Sequence, residues 1–269
     1  MNQLKQLAIA WYLYCDNNNE KVPVGDVYYS WTFPTSLPSS PRGIVSPIPI
    51  GPQPAWCEFP HPYPHTMPPN RGTNHDAAYT TNPTSQPVDV WQHAIAEGTM
   101  WRYVNDYKVY KCPVGEKGNY VTYYMSHSLA TYPNSGGGSS TPAPQIILRT
   151  QLTRTAERYL FLCAGHEKGG AFYLNYNGDC GSPPACVGQY GDPPPPRHGM
   201  GTTFVFADQH VEYHKWTDPY AQSRAIDQVW GGTTTAQSLA DCDLRWFYHV
   251  TWGSVPSVMT ISPSKKCDY

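Results

Sequence analysis

Arg197-His198-Gly199-Met200-Gly201-Thr202-Thr203-Phe204-Val205-Phe206-Ala207-Asp208-Gln209-His210-Val211-Glu212-Tyr213 is the stretch on which the fold turns. Glycines at 199 and 201 break the chain. A run of Thr, Phe and Val follows, of the β-branched and aromatic kind that suits a pleated, half-buried surface. Asp208-Gln209 then interrupts it before a second run that alternates polar and apolar residues. The stretch reads as a loop, a strand, a tight turn and a return strand. The two strands are expected at Thr202–Ala207 and His210–Trp216, and a two-residue connection between them predicts a type I′ or II′ turn. Upstream, Pro193–Pro196 forms a stiff extended spacer that delivers Arg197 and His198 to the hairpin.

At the other end of the chain, Leu4, Leu7, Ala8, Trp11 and Cys15 recur at helical period, predicting an amphipathic helix over residues 2–17 packed on a sheet. Asp16-Asn17-Asn18-Asn19 stops it, and Pro23 confirms the exit. Residues 22–87 hold at least twelve prolines, which exclude a long central strand. Trp31, Trp56, Phe59 and Tyr63 in that stretch argue for an ordered loop laid over the core. Val88–Val104 predicts a second helix with Val90, Ala94, Ile95, Met100 and Trp101 turned inward, interrupted at Gly98. Strands are expected at Tyr120–Ser126, Gln145–Leu148 and Tyr159–Ala164. Residues 131–145 are a low-complexity loop. A short helix is expected over 220–230, with closing elements at Asp241–Tyr248 and Val250–Trp252.

The composition describes a loop-rich protein stiffened by proline and pinned by aromatic packing. In 269 residues there are 28 Pro, 22 Gly, 21 Tyr and 9 Trp. Charged residues make up 14 %, against roughly 25 % in ordinary soluble domains. The net charge of −2 with no basic run excludes nucleic acid as a partner. Eight cysteines, an even number, point to an oxidising, extracellular compartment. Two local disulfides are favoured, Cys180–Cys186 across a short turn-prone loop and Cys242–Cys267 tying back the C-terminal tail. Cys15, Cys112 and Cys163 read equally well as paired or as small buried apolar residues. No run of some 18 apolar residues occurs, so a secreted-looking chain of this kind is expected to have an export segment upstream of Met1.

The spacing of His198 and Asp208, with nine residues between them, resembles the H-x9-D-G signature near the C-terminus of bacterial pseudopilin-like proteins with prepilin-type N-termini. Gln209 stands where that family has Gly. Three further blocks resemble it in order. They are the N-terminal helix, the run Gly98-Thr99-Met100-Trp101-Arg102-Tyr103 with Tyr110-Lys111-Cys112-Pro113, and Asp243-Leu244-Arg245-Trp246, with Trp216 following the hairpin. The resemblance implies an α+β, pilin-like fold in one domain spanning 1–269, an N-terminal helix on an antiparallel sheet with long Pro-rich loops. Residues 1–18 would be the C-terminal half of the pilin helix, 22–87 an insertion and 197–216 the signature hairpin. The implied function is a non-enzymatic subunit of a type IV pilus-like or type II secretion pseudopilus-like assembly. Its partners would be copies of itself or other pilin-like subunits, joined through an upstream hydrophobic helix. It would be stored at the periplasmic face of the inner membrane and displayed at the cell surface.

Against that frame, each candidate site has a plain structural alternative. His198 and Asp208 are not expected to form a catalytic dyad, because an extended strand would hold them up to about 33 Å apart; structural roles suit both, Asp208 in the turn. His61, His65 and His75, with Glu58 and Asp76, are the best metal-ligand grouping by spacing, but lie in a Pro-rich loop that lacks a rigid frame. No metal site is therefore assigned. Asp16-Asn17-Asn18-Asn19-Glu20 offers oxygen ligands that suit calcium, without an EF-hand's twelve-residue loop, and helix capping by Asn explains it as well. Asp179, Asp192 and Asp218 are scattered loop carboxylates. No nucleophile-elbow, zincin, Walker or dinucleotide fingerprint is present. An alternative role, a surface adhesin or glycan-binding module, would use Trp31, Trp56, Tyr63, Tyr79, Tyr173 and Tyr176 as a stacking platform; the same residues could equally cover the core.

Overall fold

A computed structural model describes residues 2–25, 56–57, 88–129, 146–165, 171–172, 174, 190, 192–227, 241–255 and 267. The predicted N-terminal helix is present as α1, Asn2–Asn17. Leu4, Leu7, Ala8, Trp11 and Cys15 form its buried stripe, at 1 % exposure or less. Its end is built by the asparagines. Asn17 Nδ2 donates to the Leu13 carbonyl at 2.9 Å and Asn18 Nδ2 to that of Tyr14 at 2.7 Å. Asn19 and Glu20 then take positive φ, and the Glu20 N–H returns to the Cys15 carbonyl at 2.9 Å. Carbonyls that helix ends leave unpaired are satisfied this way.

The second predicted helix is broken where glycine was read as an interruption, giving α2 (Val88–Glu97) and α3 (Trp101–Val104). The break has a packing cause. A Cβ on Gly98 would lie 2.5 Å from Cys57 Cα and 2.8 Å from the Trp56 carbonyl oxygen, so only glycine lets that backbone pass. Ala94, Ile95 and Met100 are buried and Trp101 half-buried; the side chain of Val90 lies outside the described residues.

Five strands form one sheet in the order β3-β1-β2-β4-β5, with β1 Tyr123–Ser126, β2 Tyr159–Cys163, β3 Ala171–Phe172, β4 Gly201–Phe206 and β5 Val211–Lys215. The expectation of a wholly antiparallel sheet needs correction. β1–β2, β2–β4 and β4–β5 are antiparallel, but β3 runs parallel to β1, with Met125 opposite Ala171. The chain leaves β2, reverses once and returns on the far side of β1. A strand antiparallel in direction to β2 is necessarily parallel to β1. The strand expected at Gln145–Leu148 is reduced to single bridges, Ile146 to Leu129 and Leu148 to Lys21. The one expected from Tyr120 begins only at Tyr123.

Both faces of the sheet are covered. On one side α1 packs Leu4, Leu7 and Trp11 against Tyr123, Met125, Phe161, Cys163 and Val205. On the other, Tyr124, Leu162, Phe172, Phe204 and Phe206 meet α4 (Pro219–Asp227) and α5 (Cys242–Trp252). Phe247 of α5 sits at the centre of this second layer, its ring 5.7 Å from Tyr159, 5.2 Å from Phe172 and 5.6 Å from Phe204. Double coverage explains why every residue of β1, β2 and β4 is buried, whereas β5 at the edge alternates only partly. The architecture is therefore α+β with a helix layer on each face.

The hairpin keeps its spacing but not the expected turn. Gln209 has φ +73°, while Asp208 is not among the positive-φ residues. The Gln209 N–H donates to the Phe206 carbonyl at 2.9 Å, and the Phe206 N–H to that of His210 at 2.9 Å. This is a three-residue loop, a type I turn over Ala207-Asp208 closed by a left-handed residue, rather than type I′ or II′.

Candidate functional site

The segment after the proline spacer carries His198 to the top of β4. Gly199 and Met200 both take positive φ, at 73° and 62°. The tight bend is held by the His198 N–H donating to the Gly201 carbonyl at 3.2 Å and by the Tyr213 hydroxyl donating to the His198 carbonyl at 2.7 Å. Gly201 has no room for a side chain, since a Cβ would meet the His214 carbonyl at 2.3 Å. Behind the bend, buried Trp216 donates from Nε1 to the Pro195 carbonyl at 2.8 Å, tying the spacer to the hairpin. Trp216 is thus the structural anchor of the signature.

The bend aims His198 at two cysteines. His198 Nε2 lies 3.5 Å from Cys112 Sγ. The ligand atoms of Cys112, Cys163 and His198 all lie within 4.8 Å of one another. Cys112 comes from the turn after the Tyr107–Tyr110 helical turn, Cys163 from the end of β2, and both are buried. The two thiols titrate as a pair. A hydrogen bond from the Cys163 thiol, opposed by burial and aided by the Val114 N–H and His198, draws Cys112 down to about 5. Cys163 is driven far up by that same hydrogen bond, by burial and by the Cys112 charge. The Cys163 thiol and His198 thus favour the charged form of Cys112, and burial opposes it. His61, His65, His75, Glu58 and Asp76, the best metal-ligand grouping by spacing, lie outside the described residues.

Asp208 lies at the opposite end of β4, roughly 20 Å of extended strand from His198. Its Oδ1 accepts from the His210 N–H at 3.1 Å and pairs with the His210 ring at 2.6 Å. Burial pushes its pKa upward, but these bonds hold it below the usual carboxylate value. Asp208 and Gln209 therefore serve the turn, and no contact joins them to His198.

A second cluster comes from residues that the sequence left unconnected. Asp218 and Asp241 precede α4 and α5, and each reaches across to the other helix. The Ala221 N–H donates to Asp241 Oδ2 at 2.9 Å, and the Cys242 N–H to Asp218 Oδ2 at 2.8 Å. Asp241 also caps its own helix through the Leu244 N–H at 2.7 Å. Asp243 accepts from the Thr217 and Asp218 N–H groups at 2.6 and 2.7 Å and meets His214 Nε2 at 2.9 Å. Burial, with Asp218 and Asp243 adding, pushes Asp241 up to about 7. Burial also works upward on Asp243, but His214 and the backbone donors hold it below its ordinary value. These bonds make the triad a brace between two helix N-termini. Asp218 was a scattered carboxylate by spacing alone, because its partners stand more than twenty residues downstream.

Other candidates resolve individually. Cys242 and Cys267 are bridged, with Cα atoms 5.4 Å apart; Cys180 and Cys186 lie outside the described residues. Cys15 is a buried thiol pushed up to about 12 by burial. Asp16 and Glu20 face the Arg149 guanidinium at 2.7 and 2.6 Å, so a cation of the protein's own already occupies the oxygens that suited calcium. Trp56 is not a ligand-facing aromatic. It is buried, stacked on Tyr110 at 5.9 Å and edge-on to Phe161 at 5.1 Å, because the Gly98 gap admits its backbone into the core. Trp31, Tyr63, Tyr79, Tyr173 and Tyr176 lie outside the described residues.

The chain matches no protein-family model, no curated protein and no solved structure.

Proposed function

We propose that this chain is a non-enzymatic structural subunit of a type IV pilus-like or type II secretion pseudopilus-like assembly, displayed at the cell surface, with α1 as the helix through which subunits pack. One observation carries the reading. While α1 buries one face on the sheet, it presents Ile9 and Leu13, one turn apart, at 47 % and 41 % exposure on the other. Two large apolar side chains stacked at i and i+4 are what a second helix would cover. The partner is another copy of this chain or a related subunit. No described helix is long and apolar enough to cross a membrane, so the reading requires an apolar helix leading into α1. The four sequence blocks quoted above support the same assignment. The glycan-binding alternative draws less support, since Trp56, its one candidate within the described residues, is buried.

The test is filament formation by the full-length gene product carrying Ile9→Glu and Leu13→Glu together. Both residues are exposed, so the folded subunit should keep its circular dichroism spectrum and unfolding midpoint while filaments are lost. Filaments formed at the wild-type level would overturn the role of α1, and a processed full-length product that never assembles would overturn the assembly reading itself.

A further inference from the structure

We propose that Cys112, Cys163 and His198 form a binding site for a thiophilic divalent transition metal, of which zinc is the representative ion. The inference is separate from the assembly role and stands or falls without it. Its basis is ligand geometry. A tetrahedral ion with sulfur at about 2.3 Å and imidazole nitrogen at about 2.0 Å sets the sulfur–nitrogen separation near 3.5 Å. The observed Cys112 Sγ to His198 Nε2 distance is 3.5 Å, and Cys163 Sγ stands within 4.8 Å of both. Little adjustment is needed to close the three ligands on one ion.

The segments that carry the two cysteines are fixed by their backbone. The Cys112 N–H donates to Thr122 Oγ1 at 2.7 Å, and the Ala164 and Gly165 N–H groups donate to the Thr122 carbonyl at 2.9 and 3.2 Å, so one residue holds both cysteine-bearing segments. Bonds of this kind orient the residues that would hold an ion, as metal sites require. The turns that follow the two cysteines demand glycine. Gly165 sits at φ +75°, and a Cβ on Gly115 would meet the Cys112 carbonyl oxygen at 2.9 Å. His198 is delivered by its own bend, with Gly199 and Met200 in the left-handed region. Two buried sulfurs and a half-exposed imidazole converge from three separate segments. Both cysteines are free thiols here. Two sulfurs and one nitrogen suit zinc or cobalt(II) over calcium or magnesium, which take oxygen. Among the described residues no fourth ligand joins the group.

Cobalt(II) is the probe, added to the full chain after chelator treatment, with both thiols shown reduced by thiol counting on the unfolded protein. The expected result is one cobalt per chain, with a near-ultraviolet sulfur-to-cobalt charge-transfer band and visible bands of tetrahedral intensity, displaced by zinc. Cys112→Ser and Cys163→Ser should each lose most of the charge-transfer intensity. His198→Gln leaves the buried sulfurs untouched and should retain that band while weakening cobalt affinity by about 100-fold or more. Reduced, folded wild-type protein that develops no charge-transfer band overturns the proposal. So does a cobalt affinity unchanged by His198→Gln, or a Cys112–Cys163 bridge mapped in protein taken from its native source.

Discussion

Replacing Gln209 by Gly isolates one backbone angle at the tip of the hairpin. Gln209 holds φ +73° and its side chain is exposed, so the substitution removes no packing. The turn hydrogen bonds are made by backbone atoms and by Asp208, and all survive the change. A non-glycine residue in the left-handed region costs roughly 1–2 kcal/mol. Glycine returns part of that, roughly 0.5–1 kcal/mol, through the greater freedom of its unfolded chain. The balance is a stabilisation of about 1 kcal/mol, or about 2 °C in Tm for a chain of this size. Urea unfolding followed by tryptophan fluorescence should show a raised midpoint with an unchanged slope. Gln209→Ala, which keeps the Cβ, should be close to neutral and controls for loss of the side chain. A lowered midpoint for the glycine variant would refute the left-handed assignment, and with it the type I turn closed by residue 209.

Two further outcomes test the core. Gly98→Ala forces a methyl group to within 2.5 Å of Cys57 Cα, against backbone that cannot rotate aside. It should destabilise by about 3 kcal/mol, and a wild-type unfolding midpoint would show that residues 56–57 do not pass there. His127 is buried edge-on to Trp252 at 5.3 Å, with Nδ1 3.3 Å from the Leu174 carbonyl, and burial lowers it from 6.5 to about 4. Below pH 6.5 the unfolded chain binds a proton that the folded one refuses, so this contribution is complete above 6.5 and lost as pH falls toward 4. Asp241 acts oppositely, since it keeps to about pH 7 a proton that the unfolded chain releases near 3.8. His127→Asn removes only the first effect. The difference in urea midpoint between variant and wild type should therefore move in the variant's favour from pH 7 to about pH 4.5, and a pH-independent difference would sink the buried neutral histidine.

What the sequence determined by itself was local. The stripe from Leu4 to Cys15 specifies α1 because side-chain period and burial are linked within a single helix. Thr202–Ala207 and His210–Trp216 specify a hairpin because neighbouring strands need only the turn between them. Gly98 announces a break because glycine interrupts a helix whatever its surroundings, although the reason for it, the backbone of Trp56 and Cys57, is tertiary. Strand order was decided only in three dimensions. Nothing in Ala171-Phe172 tells β3 to pass β1 and lie parallel to it on the far side, and the second helical layer rests on contacts such as Phe247 with Phe204. The turn type likewise depended on one φ value, which residue preferences bias but do not set. Cys112 and His198 are 86 residues apart in the chain and 3.5 Å apart in space. Their meeting depends on β2, β4 and a bend at Gly199-Met200 acting together, and Asp218 with Asp241 and Asp243 depends in the same way on two helices meeting end to end. Periodicity encodes which way a residue faces within its own element; which residues meet across elements is settled by the packing of the whole sheet.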